Sequence, residues 1–166
     1  MVREPRRKRF AAPVRYTAPC WMMRCTPPIA RSRPDSSDWA IYSADVPVFR
    51  TDEGSELEQP WLLSFLTCAA PYAPAIGQPE SGDLLEQRIH RVLAIARAYG
   101  HSTLVLGAWG CGAFENDAER TAWDFRRVLE TDFRGAFSEV VFAITDWSPE
   151  RKTLGPFRDV FAPGAE

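Results

Sequence analysis

Three closely spaced glycines, Gly107, Gly110 and Gly112, follow an apolar run from Thr103 to Leu106. Phe114, Asn116 and Asp117 come next, and a helix-like stretch begins at Ala118. Strand, glycine turn and helix in that order can hold a phosphate. Backbone N–H groups in the turn and at the helix start lack partners of their own and can face an anion. Glycine also admits dihedrals that a side chain blocks, and it leaves room for a ligand to approach the backbone. The spacing G-x-x-G-x-G is not the dinucleotide fingerprint, and no Gly-Lys-Ser/Thr follows as in a P-loop. A tight strand-to-helix connection with no ligand uses the same residues, so both readings stay open at this point.

The side chains around the glycines carry further chemistry. Cys111 is either a thiolate nucleophile favoured by the helix start or a small buried side chain, and the second is the commoner use. His90 and His101 are the two histidines, and neither has a spacing that links it to Cys111. Trp109 and Phe114 offer faces for a base or a ribose, or plugs for the core. Asn116 and Asp117 suit sugar hydroxyls, although a helix cap explains at least one of them. Asp45 and Arg50 flank an apolar turn, where an ion pair is as natural as a substrate contact. Glu80 and Glu86 show no spacing that marks an acid and base pair for glycoside cleavage. The four cysteines, Cys20, Cys25, Cys68 and Cys111, contain no C-x-x-C pair, so no zinc site and no cofactor is expected.

These residues need a scaffold, and 166 residues with 45% apolar and 25% charged side chains suffice for one ordinary domain. No apolar run approaches the length of a membrane span, and no secretory pattern follows the early arginines, so a cytoplasmic protein is expected, with no membrane partner. The net charge of −2 hides an asymmetry. Residues 1–34 carry nine Lys or Arg against one acid, Glu4, while the remainder carries eleven basic and twenty-one acidic side chains. The basic part reads as an irregular, Pro-rich arm over residues 1–38. It is the one feature that suggests nucleic acid.

Residues 39–166 read as an α/β domain. Trp39–Ser43 is a short strand, and Trp61–Thr67 is a strand buried on both faces. The small residues from Cys68 to Pro74 form an irregular loop, and Gly77–Gly82 forms another. Asp83 caps a helix with Leu85, Ile89, Val92, Leu93 and Ala96 on one face, ended by Gly100. Ser102–Leu106 is a second buried strand. Asn116 and Glu119 fit a capping box for a helix carrying Ala118, Ala122, Phe125 and Leu129. Glu139–Thr145 is a third strand, and Phe157–Phe161 a last short helix. The order β-α-β-α-β predicts parallel pairing in a three-layer α/β/α fold, with ligands beyond the carboxyl ends of the strands. The Cys68–Pro74 loop, the Gly107–Asp117 loop and Asp146-Trp147 should then surround one cleft.

The block Val105–Asp117 resembles the C-terminal signature of the microbial-type poly(ADP-ribose) glycohydrolases, a macrodomain family. Ile41–Arg50 resembles the family's second marker. Leu63–Ala73 resembles its third, where the family usually shows Asn at the position of Tyr72. The Arg88–Leu93 segment and the strand Val140–Ile144 fit as well. The likeness spans residues 38–146.

This resemblance implies a macrodomain-like fold lacking its N-terminal strands, and a cleft for ADP-ribose or an ADP-ribosylated protein. The loop Gly110, Cys111, Gly112 and Ala113 would wrap the diphosphate, with Gly107, Trp109 and Asn116 around it and Phe114 against the distal part of the ligand. The family's chemistry uses a triple-glycine loop and a Gln-Glu-Glu motif, both upstream of the Ile41 block. Neither occurs here: residues 1–38 hold no glycine and one glutamate. The expected function is therefore ADP-ribose binding by a degenerate or truncated macrodomain, with no assigned catalytic residue. One alternative is an active glycohydrolase with Glu53, Glu56 or Glu58 as substitute acid. Another is a non-binding remnant or interaction module, in which a second copy covers an exposed sheet edge. Deleting residues 1–34 should abolish nucleic-acid binding that depends on the arm and spare ADP-ribose binding by the glycine loop, a contrast that parallel titrations of both ligands would read.

Overall fold

The structure is a computed structural model that describes residues 38–162. The basic arm, with Cys20 and Cys25, lies outside the described residues apart from Asp38. The elements in chain order are β1 (Ala40–Arg50), β2 (Glu56–Cys68), α1 (Ala73–Ile76), α2 (Glu80–Ala98), β3 (Thr103–Leu106), α3 (Ala118–Glu130), β4 (Glu139–Phe142) and α4 (Leu154–Val160). They divide into two compact units. Of the described residues, one contains Tyr42–Phe65, and the other contains residues 38–41 together with the chain from Leu66 onward.

The first unit is a hairpin. β1 and β2 form a two-stranded sheet, and the connection between them is too short for anything but antiparallel pairing. Thr51 N–H donates to Ser55 O at 2.8 Å, and Gly54 takes φ +89° in the turn. Ser64 Oγ accepts from Asp45 N–H (3.2 Å) and Tyr42 OH (3.3 Å), which ties the strands side to side. Of the two readings of Asp45 and Arg50, the ion pair is not among the described contacts: Arg50 donates to Gly54 O and faces Glu56.

Two strand expectations are corrected here. β2 pairs with β1, while β3 pairs with β4 in a separate two-stranded sheet, so the described strands do not form one β-α-β-α-β ladder. Nor is the Trp61 segment buried on both faces, since Trp61, Leu62 and Leu63 are all exposed. Apolar runs of this length fit a covered strand and a solvent-facing hairpin equally well, and the short turn after β1 makes the local partner the nearer one.

The second unit carries the α/β core. β3 and β4 are parallel, with Leu104 opposite Val140 and Leu106 opposite Phe142. Side chains alternate along a strand, so Leu104, Leu106 and Phe142 pack on the helices while Val105 and Val141 stay exposed. α2 contributes Leu85, Ile89 and Leu93, α3 contributes Ala122, Phe125 and Val128, and α4 contributes Phe157 and Val160. Phe125, Phe142 and Phe157 meet edge-on or tilted at 5.2–6.4 Å between ring centroids. Ion pairs of Arg120 with Asp83 and of Arg127 with Glu86 link α2 and α3 on their solvent side.

The helix ends differ in detail from expectation. α2 begins at Glu80, so Asp83 lies in its first turn and residues 80–82 are helix, not loop. Its end does use Gly100, at φ +77°, with His101 N–H reaching back to Ala96 O. α3 is capped by Asp117, whose carboxylate accepts from Arg120 N–H at 2.7 Å, and not by an Asn116–Glu119 box. Asn116 is drawn inward instead. α1 occupies part of the expected Cys68–Pro74 loop.

Asp146 fixes the return of the chain after β4. One carboxylate oxygen accepts from Ser148 Oγ and N–H, and the other from the N–H groups of Thr153 and Leu154 at the start of α4. The hydrogen bond from Ser148, followed by those from the backbone, holds this carboxyl well below the usual carboxylate range. A carboxyl with a depressed folded-state pKa stabilises fully above its unfolded value and loses that contribution as pH falls through the folded one. Asp146→Asn should lower the melting temperature at neutral pH, and the gap from wild type should narrow below about pH 4 in a pH series of thermal melts.

Candidate functional site

β3 ends at Leu106, and the glycine run turns the chain from there into α3. Trp109 N–H donates to Gly107 O at 2.8 Å, and Cys111 N–H to Ala108 O at 3.1 Å. The second bond closes a turn with Gly110 at its third position, where φ is +78°. Turns of this kind need a residue that accepts positive φ there. A second turn follows, with Glu115 N–H on Gly112 O at 2.9 Å and Glu115 itself at φ +53°. Asn116 N–H then closes back onto Gly110 O at 3.0 Å.

The segment after β2 lies against this loop. A Cβ on Gly110 would come within 2.7 Å of Asn116 Nδ2 and 2.9 Å of Ala70 Cβ, so the absence of a side chain is what lets the two segments meet. Asn116 is 4% exposed. Its Nδ2 donates to Pro71 O (2.9 Å), Gly110 O (3.1 Å) and Phe114 O (3.4 Å). Ala73 N–H donates to Phe114 O at 3.0 Å. Ala69 O accepts from Arg88 Nη1 (3.1 Å), and this guanidinium is buried on the core face of α2 and paired with Asp38 at 3.2 Å. The Cys68–Pro74 and Gly107–Asp117 segments are thus brought together as the sequence suggested. Asp146 is occupied at α4, and Trp147 is 91% exposed.

The eight candidate residues divide by environment. Trp109 and Cys111 are partly buried against the core, and Asn116 faces inward with its amide nitrogen spent on carbonyl groups. Gly107 is half-buried beside Ala143 O. Gly112, Ala113 and Phe114 are exposed. Among the described residues, the N–H groups of Gly112, Ala113 and Phe114 donate to no acceptor, which leaves three consecutive bare donors on the outer turn. Nothing lies within 4 Å of a Cβ placed on Gly112, so packing alone gives no reason for a glycine there. A run of free N–H groups with open space beside it is an arrangement able to accept an anion.

The acid, base and thiol candidates fare differently. Burial pushes the Cys111 thiol up, and its Sγ lies 3.5 Å from Trp109 O, an environment that disfavours the thiolate. His90 faces Asp132 at 3.4 Å and the edge of Phe133. Glu86 is paired with Arg127, and Glu80 opens α2. Glu53, Glu56 and Glu58 all belong to the hairpin unit. An open cleft of about 440 Å³ lies beside the start of α3, lined by Gln78, Pro79, Asp117, Glu119, Arg120 and Trp123. It shares no residue with the 107–114 loop, and Arg120 is held there by Asp83, Asp124 and Pro79 O, so the loop is the better anion seat. Sequence reasoning placed Arg88 in a segment that fits the family and marked Tyr72 as a departure from it, but did not reveal the buried pairing of Arg88 with Asp38 or the contact of Tyr72 with Phe114.

No family model and no curated protein sequence matches the chain. Solved structures do. A poly(ADP-ribose) glycohydrolase from Thermomonospora curvata is 46% identical, with a TM-score of 0.71, over 77% of this chain and 49% of its own. The enzyme from Deinococcus radiodurans in complex with ADP-ribose is 42% identical, with a TM-score of 0.70, over 77% of this chain and 54% of its own. A T267R mutant of that enzyme, also with ADP-ribose, gives 40% and 0.72 over 80% and 55%. The chain thus spans about half the length of these structures.

The contrast between the glycines is directly testable. Gly110→Ala should destabilise the protein by about 1–3 kcal/mol through overpacking and backbone strain. Gly112→Ala should change stability by no more than about 0.5 kcal/mol, as at other open surface positions. Chemical denaturation of the two variants beside wild type measures both.

Proposed function

We propose that this chain, which is similar to poly(ADP-ribose) glycohydrolases over about half of their length, binds ADP-ribose, free or on a modified protein, through the 107–114 loop. The observation that carries this reading is the run of bare N–H groups at Gly112, Ala113 and Phe114 beside open space. A diphosphate presents several acceptor oxygens, and adjacent main-chain donors match it without a cationic side chain. In this reading Gly112 and Ala113 touch the diphosphate. Phe114 borders the part of the ligand beyond it. Gly107, Gly110, Trp109, Cys111 and Asn116 build and brace the turn from behind.

Binding without bond cleavage is the function proposed for these 166 residues. The sequence holds neither the triple-glycine loop nor the Gln-Glu-Glu motif that the family resemblance attaches to the chemistry. A general acid is worth about 10²–10⁴ in rate, and among the described residues no carboxyl group with a raised pKa stands in the 107–114 loop. A structure of the Deinococcus radiodurans enzyme in complex with ADP-ribose is among the matches, which supports this ligand class over other diphosphates.

Calorimetric titration of the full chain with ADP-ribose tests the reading. Micromolar binding is expected, and Gly112→Glu should abolish it by filling the open space with an acid while the melting temperature holds. An absence of heat with folded wild-type protein would sink the proposal. Release of ADP-ribose from a modified protein by the chain alone would overturn the restriction to binding.

A further inference from the structure

Tyr72 and Phe114 form an aromatic corner at the mouth of the proposed cradle. Their ring centroids are 5.9 Å apart with the planes at 79°, an edge-to-face arrangement. Both rings keep a large exposed surface, 42% for Tyr72 and 41% for Phe114, so the pair is not a core contact. The chain holds it in place from both sides of Tyr72. Pro71 O accepts from Asn116 Nδ2, and Ala73 N–H donates to Phe114 O. The backbone on either side of Tyr72 is therefore anchored to the loop that carries Phe114.

The position of this corner matters. Phe114 supplies the last of the three bare N–H groups, so its ring begins where a diphosphate held by Gly112 and Ala113 would end. A group attached to that diphosphate meets an aromatic edge and an aromatic face. Two exposed rings at right angles suit the C–H face of a sugar, which packs on aromatic carbon. They offer one phenolic hydroxyl and no amide to sugar hydroxyls.

We propose that Tyr72 is a specificity-determining residue: with Phe114 it seats the ribose beyond the diphosphate through ring contact, and so favours a diphosphate carrying that second sugar over one that lacks it. This inference rests on the ADP-ribose reading above. It goes beyond it by assigning a residue and a direction of selectivity.

The test is calorimetric titration of wild type, Tyr72→Phe, Tyr72→Ala and Tyr72→Asn with ADP-ribose and with ADP, alongside thermal melts. Tyr72→Ala and Tyr72→Asn should weaken ADP-ribose binding about 5–10-fold, the scale of a lost aromatic contact. ADP binding should stay unchanged in both, and Tyr72→Phe should bind ADP-ribose within about twofold of wild type, because the ring is kept. Equal losses for both ligands would overturn the proposal by showing that Tyr72 merely shapes the loop. No loss in Tyr72→Ala would overturn it as well, and so would a loss in Tyr72→Phe as large as in Tyr72→Ala, which would assign the contact to the hydroxyl. Wild-type protein that binds neither ligand would instead bring down the reading on which the inference rests, so the two failures are distinct.

Discussion

The buried amide of Asn116 is the interaction on which the loop depends. One nitrogen with two hydrogens serves three carbonyl groups, those of Pro71, Gly110 and Phe114, and so joins the chain after β2 to both turns of the glycine run. Gly110 O and Phe114 O also accept the N–H groups of Asn116 and Ala73, whereas Pro71 O takes the amide as its donor, and a carbonyl buried without one costs about 1–3 kcal/mol. The knot works only because Gly110 has no side chain: a methyl group there would strike the amide and Ala70 together. Asn116 Oδ1 is itself buried with no partner among the described residues, which makes the amide an expensive residue to place there. Its three carbonyl contacts are the return on that cost.

Charge supports the knot at one remove. Arg88 is 1% exposed on the core face of α2, a costly place for a guanidinium unless it is paired and hydrogen-bonded. Asp38 supplies the countercharge, and Ala69 O takes another donor. Arg91 reaches the same aspartate through its backbone carbonyl at 2.6 Å. Ala69 therefore stays in place, Ala70 stays under Gly110, and the cradle keeps its shape. Among the described residues the 107–114 loop carries no basic side chain, and Arg120, on the first turn of α3, is already held by acids. Any anion seated there would be recognised through main-chain dipoles, with the start of α3 adding to the field.

Local grammar made much of this legible from sequence. The glycine turn after an apolar strand, the stripe Leu85–Ile89–Leu93 on α2 and the left-handed Gly100 all depend on neighbours a few residues away, and all stand where the pattern put them. Partner choice did not. Trp61–Thr67 reads the same beside β1 or beside β3, because strand identity depends on composition while pairing depends on what else the chain brings near. The cap of α3 was misplaced by one residue because Asn and Asp are both good caps, and the choice was made by a buried demand for an amide that spacing does not display. The site divided in the same manner. That Gly110 serves the fold while Gly112 leaves open space can be seen only once Ala70 and Asn116 lie against the loop.

Cradle and chemistry are separable in this architecture. Within the second unit, the described hydrogen bonds that shape the 107–114 loop come from the loop itself, from Asn116 and from the Ala69–Ala73 segment beside it. The motifs that the family resemblance ties to glycosidic bond cleavage do not occur in these 166 residues. Positioning a ligand and protonating a leaving group draw on different physical resources. The first needs fixed dipoles and open volume, and the second needs an acid held at a reacting atom. The dipoles of the 107–114 loop are set by the turn itself and do not depend on an acid. In the proposed reading, selectivity would then rest on the side chains beside the turn, where Tyr72 and Phe114 stand.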